Sequence, residues 1–146
     1  MLSALIPLSL SIDTGIYTNH LSTSHYTENY EVHEINNSNE LIGLSLEYED
    51  VELDVATMIN SYKRRSYIVG VTKPILESEW VSFKLSGGLV TGYERWMVKT
   101  NLVKDIAFYV VPELSFTYED TSLSVRMFGE AVNVAVSYTY TFDLEE

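Results

Sequence analysis

Residues 131–142 read Ala131-Val132-Asn133-Val134-Ala135-Val136-Ser137-Tyr138-Thr139-Tyr140-Thr141-Phe142. Side chains of an extended chain alternate between two faces. Val132, Val134, Val136, Tyr138, Tyr140 and Phe142 therefore share one face, and Asn133, Ala135, Ser137, Thr139 and Thr141 the other. The run is about twice as long as the five or six residues usual for strands of soluble proteins. It also exceeds the roughly nine to eleven residues that a tilted strand needs to cross a bilayer. Such a strand points to a closed barrel.

Working back from this stretch, the same alternation recurs between turn residues and predicts eight strands. They fall at about residues 8–17, 41–48, 51–59, 66–73, 80–93, 106–118, 122–128 and 131–142, with a Pro74-containing connection after the fourth. The expected fold is all-β, an eight-stranded antiparallel up-and-down barrel formed by residues 1–146 as one domain. Connection lengths agree with it. About twenty residues separate the first two predicted strands, about five the third and fourth, and about a dozen the fifth and sixth, while Glu49-Asp50, Asp120-Thr121 and Gly129-Glu130 are tight turns. In a meander, alternate connections emerge at the same end, so the 19–40, 61–65 and 95–105 loops should share one rim.

Composition narrows the function classes. A net charge of −12 leaves no broad basic surface for phosphate backbones, which argues against nucleic acid as a partner. The chain has no cysteine, and its three histidines lack metal-ligand spacing, so neither a disulfide framework nor a structural metal is expected. No apolar run approaches the roughly 18 residues of a spanning helix. Met1–Leu10 is apolar enough for a signal core but lacks a basic leader, and Ser9–Asp13 already alternates, so trimmed signal and first strand both remain open.

Alternation by itself leaves the barrel's polarity undecided. Glu47, Glu49, Glu52 and Asp54 lie opposite the aliphatic rows of the second and third predicted strands. That pattern fits a polar interior inside a lipid-facing wall, and equally a soluble barrel or sandwich with an apolar core. Trp80, Trp96, Tyr93, Tyr138 and Tyr140 fit interfacial belts or ordinary edge positions. His25 and His33 read as exposed loop residues. Glu28, Glu31, Glu34 and Glu40 add acidity there without the spacing of a cation loop.

One chemical pair stands out. His20 closes the first predicted strand and Ser61 follows the third, which puts both on the long-loop rim. An imidazole that accepts a serine proton is the core of nucleophilic acyl transfer, and the two residues need meet only in space.

The segment around this pair resembles a known family. His20, Asn29-Tyr30-Glu31, Gly43-Leu44-Ser45, Asn60-Ser61-Tyr62 and Tyr67-Ile68-Val69-Gly70 are similar in order and spacing to the lipid A palmitoyltransferases, eight-stranded outer-membrane barrels, and especially to their shortened phage-encoded relatives. Gly87-Gly88-Leu89-Val90-Thr91-Gly92, Val111-Pro112 and the closing aromatic strand extend the likeness, and Phe142 resembles the terminal signal of outer-membrane barrels. The resemblance implies transfer of an acyl chain from a phospholipid to lipopolysaccharide without a cofactor or metal. By position it carries the family's His to His20 and its Ser to Ser61. Asn60 stands where the family has Asp, and a neutral amide can orient an imidazole only by hydrogen bonding. The family's amphipathic N-terminal helix has no counterpart in residues 1–10. Lys63, Arg64 and Arg65 are expected to meet substrate phosphates as charge-assisted donors. The expected location is the outer membrane. The alternative is a non-catalytic barrel, soluble or in a virion, that packs on other protein subunits.

Overall fold

The computed structural model describes residues 8–21, 24–26 and 32–142, with side chains described for 8–21 and 35–142. The expectations for Met1–Pro7, Glu28–Glu31 and residues 143–146, and for the side chains of His25, His33 and Glu34, fall outside what is described.

Eight strands form the wall: β1 (Leu8–His20), β4 (Ile42–Tyr48), β5 (Val51–Ile59), β6 (Arg65–Glu77), β7 (Val81–Thr91), β9 (Ile106–Tyr118), β10 (Thr121–Phe128) and β11 (Ala131–Phe142). Each pairs antiparallel with the next, and β11 returns to β1 along a register running from Leu8↔Phe142 to His20↔Ala131. The sheet is therefore closed, although β9 and β10 pair only from Glu113 and Arg126 toward the short turns. The expected strands agree with these closely. The main difference is at Pro74, which lies inside β6: the register shifts between Pro74 and Leu76, and a bulge tolerates a residue with no N–H to give to the ladder. The long first loop carries a short hairpin, β2 (Ser24–Tyr26) with β3 (Val32–Glu34), and β8 (Asn101–Val103) lies against the start of β9. The connections after β1, β5 and β7 share one rim, together with the Gly129-Glu130 turn.

The aliphatic rows look outward. Val110 is 58% exposed while its neighbour Val111 is 2% exposed, and Leu44, Leu53, Val69, Phe116, Tyr138 and Tyr140 are likewise on the outside. The reverse side of the same strands holds charge. Arg126 bridges Asp13 on β1 and Glu113 on β9, and Lys84 pairs with Glu52. Ser115 donates to Glu113 at 2.6 Å, and Ser45 and Thr72 donate to Asp54 at 2.5 and 2.6 Å. An aliphatic exterior around an ion-paired interior is the polarity of a barrel embedded in lipid.

The interior is divided along the barrel axis. Its half toward the short turns is the ionic network. Its half toward the long-loop rim holds an apolar cluster, with Leu41, Met58, Ile68, Val90 and Ala107 in contact and Tyr109 and Phe128 packed against them, beside the buried polar Thr18, Asn60, Ser66 and Asn133. Alternation left polar and apolar linings both open, and the barrel has some of each. Tyr109 lies at the boundary and crosses the backbone of β6 at Gly70, where a Cβ would fall 2.1 Å from the phenol oxygen. Only glycine leaves room for that ring.

One local irregularity decides what faces the apolar half. Leu8, Leu10, Ile12 and Thr14 on β1 share a parity with His20, and Ile12 points outward. Strict alternation would send His20 to the lipid as well. Between Gly15 and Tyr17 the register slips by one residue, leaving Ile16 and Tyr17 both outward, at 59% and 58% exposed. Beyond this bulge the parity inverts, and Thr18 and His20 turn inward and are buried.

Replacing Arg126 by leucine strands the carboxylates of Asp13 and Glu113 inside the wall. The expected loss is about 3–5 kcal/mol, as for other buried pairs cut on one side. It would be read from the urea midpoint of the detergent-solubilised protein, and an unchanged midpoint would show that the network carries no stability.

Candidate active site

The end of the first loop is laced to the end of β5. Asn36 N–H donates to Ser61 C=O at 2.9 Å, Ile59 N–H to Asn39 C=O at 2.7 Å, and the Asn39 amide to Ile59 C=O at 2.7 Å. This continues the β4–β5 pairing past the point where regular strand ends and brings Asn37 beside the turn that carries Ser61.

His20 enters between them from β1. Its Nε2 lies 2.7 Å from Ser61 Oγ and its Nδ1 lies 2.7 Å from Asn37 Oδ1. The protonation pattern follows from a backbone donor. His20 N–H donates to the same Asn37 Oδ1 at 3.2 Å, so the amide presents its oxygen, not its nitrogen, to the histidine. Nδ1 must then carry the proton, which leaves Nε2 free to accept from the Ser61 hydroxyl. Ser61, His20 and Asn37 thus form a hydrogen-bonded chain with the geometry that a nucleophile, base and orienting acceptor require.

Asn60 does not meet His20 through its side chain. Its side chain is fully buried and points into the barrel, and its hydrogen-bonding capacity is used there. Nδ2 donates to Ser66 Oγ at 3.0 Å and to Gly92 C=O at 2.9 Å, while Oδ1 accepts from the N–H groups of Tyr62 at 2.9 Å and Arg64 at 3.1 Å. It holds the Ser61 turn against the end of β7, and the amide that meets the His20 ring is that of Asn37. Nothing in the spacing of Asn37 marks it out, because its partner is reached only through the loop lacing.

A third group stands beside Ser61, just past the end of β7. Tyr93 faces the same space as Ser61 and His20, and burial pushes its phenol pKa up to about 12. Its backbone is fixed by Tyr93 N–H to Asp105 C=O at 3.0 Å and by the Asn101 amide to Tyr93 C=O at 2.6 Å. Its ring meets that of Tyr62 edge-on with centroids 6.4 Å apart, and Tyr62 meets Trp96 in the same way at 5.3 Å. Burial also raises the Tyr62 phenol, whose hydroxyl donates to Met97 C=O at 3.1 Å. Trp96 belongs to this loop cluster, whereas Trp80 stacks near Tyr118 at the opposite end.

Below Ser61 opens a cavity of about 340 Å³. His20, Ser61 and Tyr93 stand at its mouth, and Met58, Val90 and Ala107 are among its apolar walls. The three basic residues expected at the substrate diverge. Arg64 pairs with Glu94 at 2.6 Å, and the hydrogen bond from Arg64 holds the Glu94 carboxyl below its usual pKa. Arg65 begins β6 on its outer face, reaching Thr57 at 3.4 Å, and Lys63 is exposed at a left-handed turn position with φ 60°.

No family model matches the sequence, and no curated protein matches it. Among solved structures the chain is similar to a de novo designed transmembrane β-barrel, with 13% identity and a TM-score of 0.50 over 93% of this chain and 95% of that one. It is also similar to the Yersinia pestis outer-membrane protein Ail in a phospholipid nanodisc, with 12% identity and a TM-score of 0.51 over 90% and 99%. These likenesses show the fold, a membrane β-barrel.

Asn60→Asp tests the assignment of that residue. An aspartate there loses both donors and sets a carboxylate against the Gly92 carbonyl, so the variant should be less stable by about 1–3 kcal/mol. A urea midpoint at or above that of the parent would show that the amide's bonds do not hold the turn.

Proposed function

We propose that this chain is an outer-membrane acyltransferase that moves a fatty acyl chain from a phospholipid to lipopolysaccharide through Ser61. One observation carries the reading: a serine–histidine–asparagine relay stands at the mouth of an apolar cavity inside a lipid-facing barrel.

In this mechanism an acyl chain fills the apolar half of the barrel and its ester carbonyl comes to rest at Ser61. Burying each methylene supplies about 0.8 kcal/mol, so a long chain would hold the reacting ester in place without contacts to its head group. The Ser61 hydroxyl gives its proton to His20 Nε2 as Oγ attacks the carbonyl carbon. The tetrahedral intermediate collapses with cleavage of the ester C–O bond, and the proton on Nε2 passes to the departing glycerol oxygen. An acceptor hydroxyl then repeats the sequence in reverse, restoring Ser61. The Asn37 carbonyl holds the ring in the required tautomer and stabilises the imidazolium less than a carboxylate does, so turnover should be slow beside that of carboxylate triads.

Basic residues stand close to Ser61. Of nine Lys and Arg residues, six (Lys63, Arg64, Arg65, Arg95, Lys99 and Lys104) lie in or at the edge of the two loops beside Ser61, which also carry Glu94 and Asp105. In this proposal Lys63 and Arg65 contact lipid phosphates, and Arg64 braces the loop through Glu94. The path requires no cofactor, metal or nucleic acid. A virion or soluble subunit would have to cover the aliphatic exterior with protein, whereas a membrane covers it with lipid.

Lipid A from cells making the intact protein should gain one acyl chain in its mass spectrum. Ser61→Ala should abolish the gain, His20→Ala should lower the rate roughly 10²- to 10⁴-fold, and Asn37→Ala should lower it about tenfold or more. Identical spectra with and without the protein would refute the activity. Filling the cavity with Ala107→Phe should shift the transferred chain toward shorter acyl groups. An unchanged chain-length distribution would show that the chain lies elsewhere.

A further inference from the structure

Nucleophilic attack on an ester places negative charge on the carbonyl oxygen, and a base alone does not stabilise it. Such sites need a donor aimed where that charge forms. Ser61 has two side-chain neighbours of different kinds: His20 Nε2 at 2.7 Å, which accepts its proton, and the Tyr93 phenol, which lines the same cavity from just past the end of β7.

We infer that Tyr93 is a catalytic residue whose hydroxyl donates to the oxyanion formed on the substrate carbonyl when Ser61 attacks. The inference rests on the acyl-transfer reading above and adds to it the group that stabilises the intermediate. Three observations meet at this side chain. It lines the mouth of the apolar cavity together with His20 and Ser61, so a carbonyl brought to Oγ comes within its reach. Its position is over-determined by the Asp105 and Asn101 bonds and by the edge-on Tyr62 ring, so the donor is in place before substrate arrives. It also stays protonated at neutral pH, since burial keeps its pKa near 12.

The step balances. The Ser61 proton goes to Nε2, the carbonyl π pair goes to oxygen, and the Tyr93 hydroxyl donates a hydrogen bond to that oxygen without losing its proton. On collapse the pair returns to form the acyl-serine carbonyl, and the glycerol oxygen leaves with the proton from Nε2.

The test uses the full chain in detergent micelles with a p-nitrophenyl ester of a long-chain fatty acid. Folding of each variant is checked by heat-modifiable gel mobility. Tyr93→Phe should lower kcat roughly 10²- to 10³-fold, with KM changed by about twofold at most. A long-chain alkylboronic acid, which forms an anionic tetrahedral adduct on serine, should lose the same factor in affinity for Tyr93→Phe. The chain-matched alcohol should bind both proteins equally. Turnover by Tyr93→Phe at the parent rate would overturn the inference while leaving Ser61 chemistry standing. Equal loss of boronate and alcohol affinity would also overturn it, by assigning Tyr93 to packing. If the parent and Ser61→Ala hydrolyse the ester equally slowly, the acyl-transfer reading fails and this inference falls with it.

Discussion

The site depends on a slip of one residue in β1. Closure of the barrel gives every strand an inside and an outside, and alternation then fixes which residues see lipid. Without the slip between Gly15 and Tyr17, His20 would share the outward parity of Ile12. The inversion puts an imidazole above an apolar well and opposite Ser61. Exposing both Ile16 and Tyr17 on a wall that faces lipid adds apolar surface where it costs little, so the bulge is affordable there as it would not be in water.

Two demands then divide the interior. A barrel of eight strands is narrow enough for side chains to fill, and the filling differs from end to end. At the short-turn end, Arg126, Glu113, Asp13, Lys84 and Glu52 cross-link facing strands. At the long-loop end, the lining at Val90 and Ala107 is small enough to leave space. The ion-paired side chains occupy the half toward the short turns, and the cavity opens beneath Ser61 in the other. That arrangement suits holding one end of a hydrocarbon chain.

Much of the fold could be read from residue order. Strand number, up-and-down order and the shared rim of the long loops followed from alternation and turn residues, because the period of two survives wherever one face meets lipid. Pro74 was misread as a connection, since a proline reads as a strand end unless the bulge that admits it is known. The placement of His20 beside Ser61 followed from connectivity. The same argument read strictly by parity would have turned His20 outward, because a bulge leaves little trace in composition.

The orienting group is where residue order was least informative. Asn60 adjoins Ser61 in sequence, but the inward parity of β5, carried one residue past Ile59, sends it into the barrel, toward Ser66 and Gly92. Asn37 reaches His20 because Asn36 and Asn39 tie its loop to residues 59–61, a long-range arrangement with no local signature. The most direct measurement is ¹⁵N NMR of the histidine ring in detergent-solubilised protein. The account predicts that His20 at neutral pH has a protonated, slowly exchanging Nδ1 and an unprotonated Nε2 whose shift moves in Ser61→Ala. A protonated Nε2, or a ring exchanging freely with water and indifferent to Ser61, would contradict it.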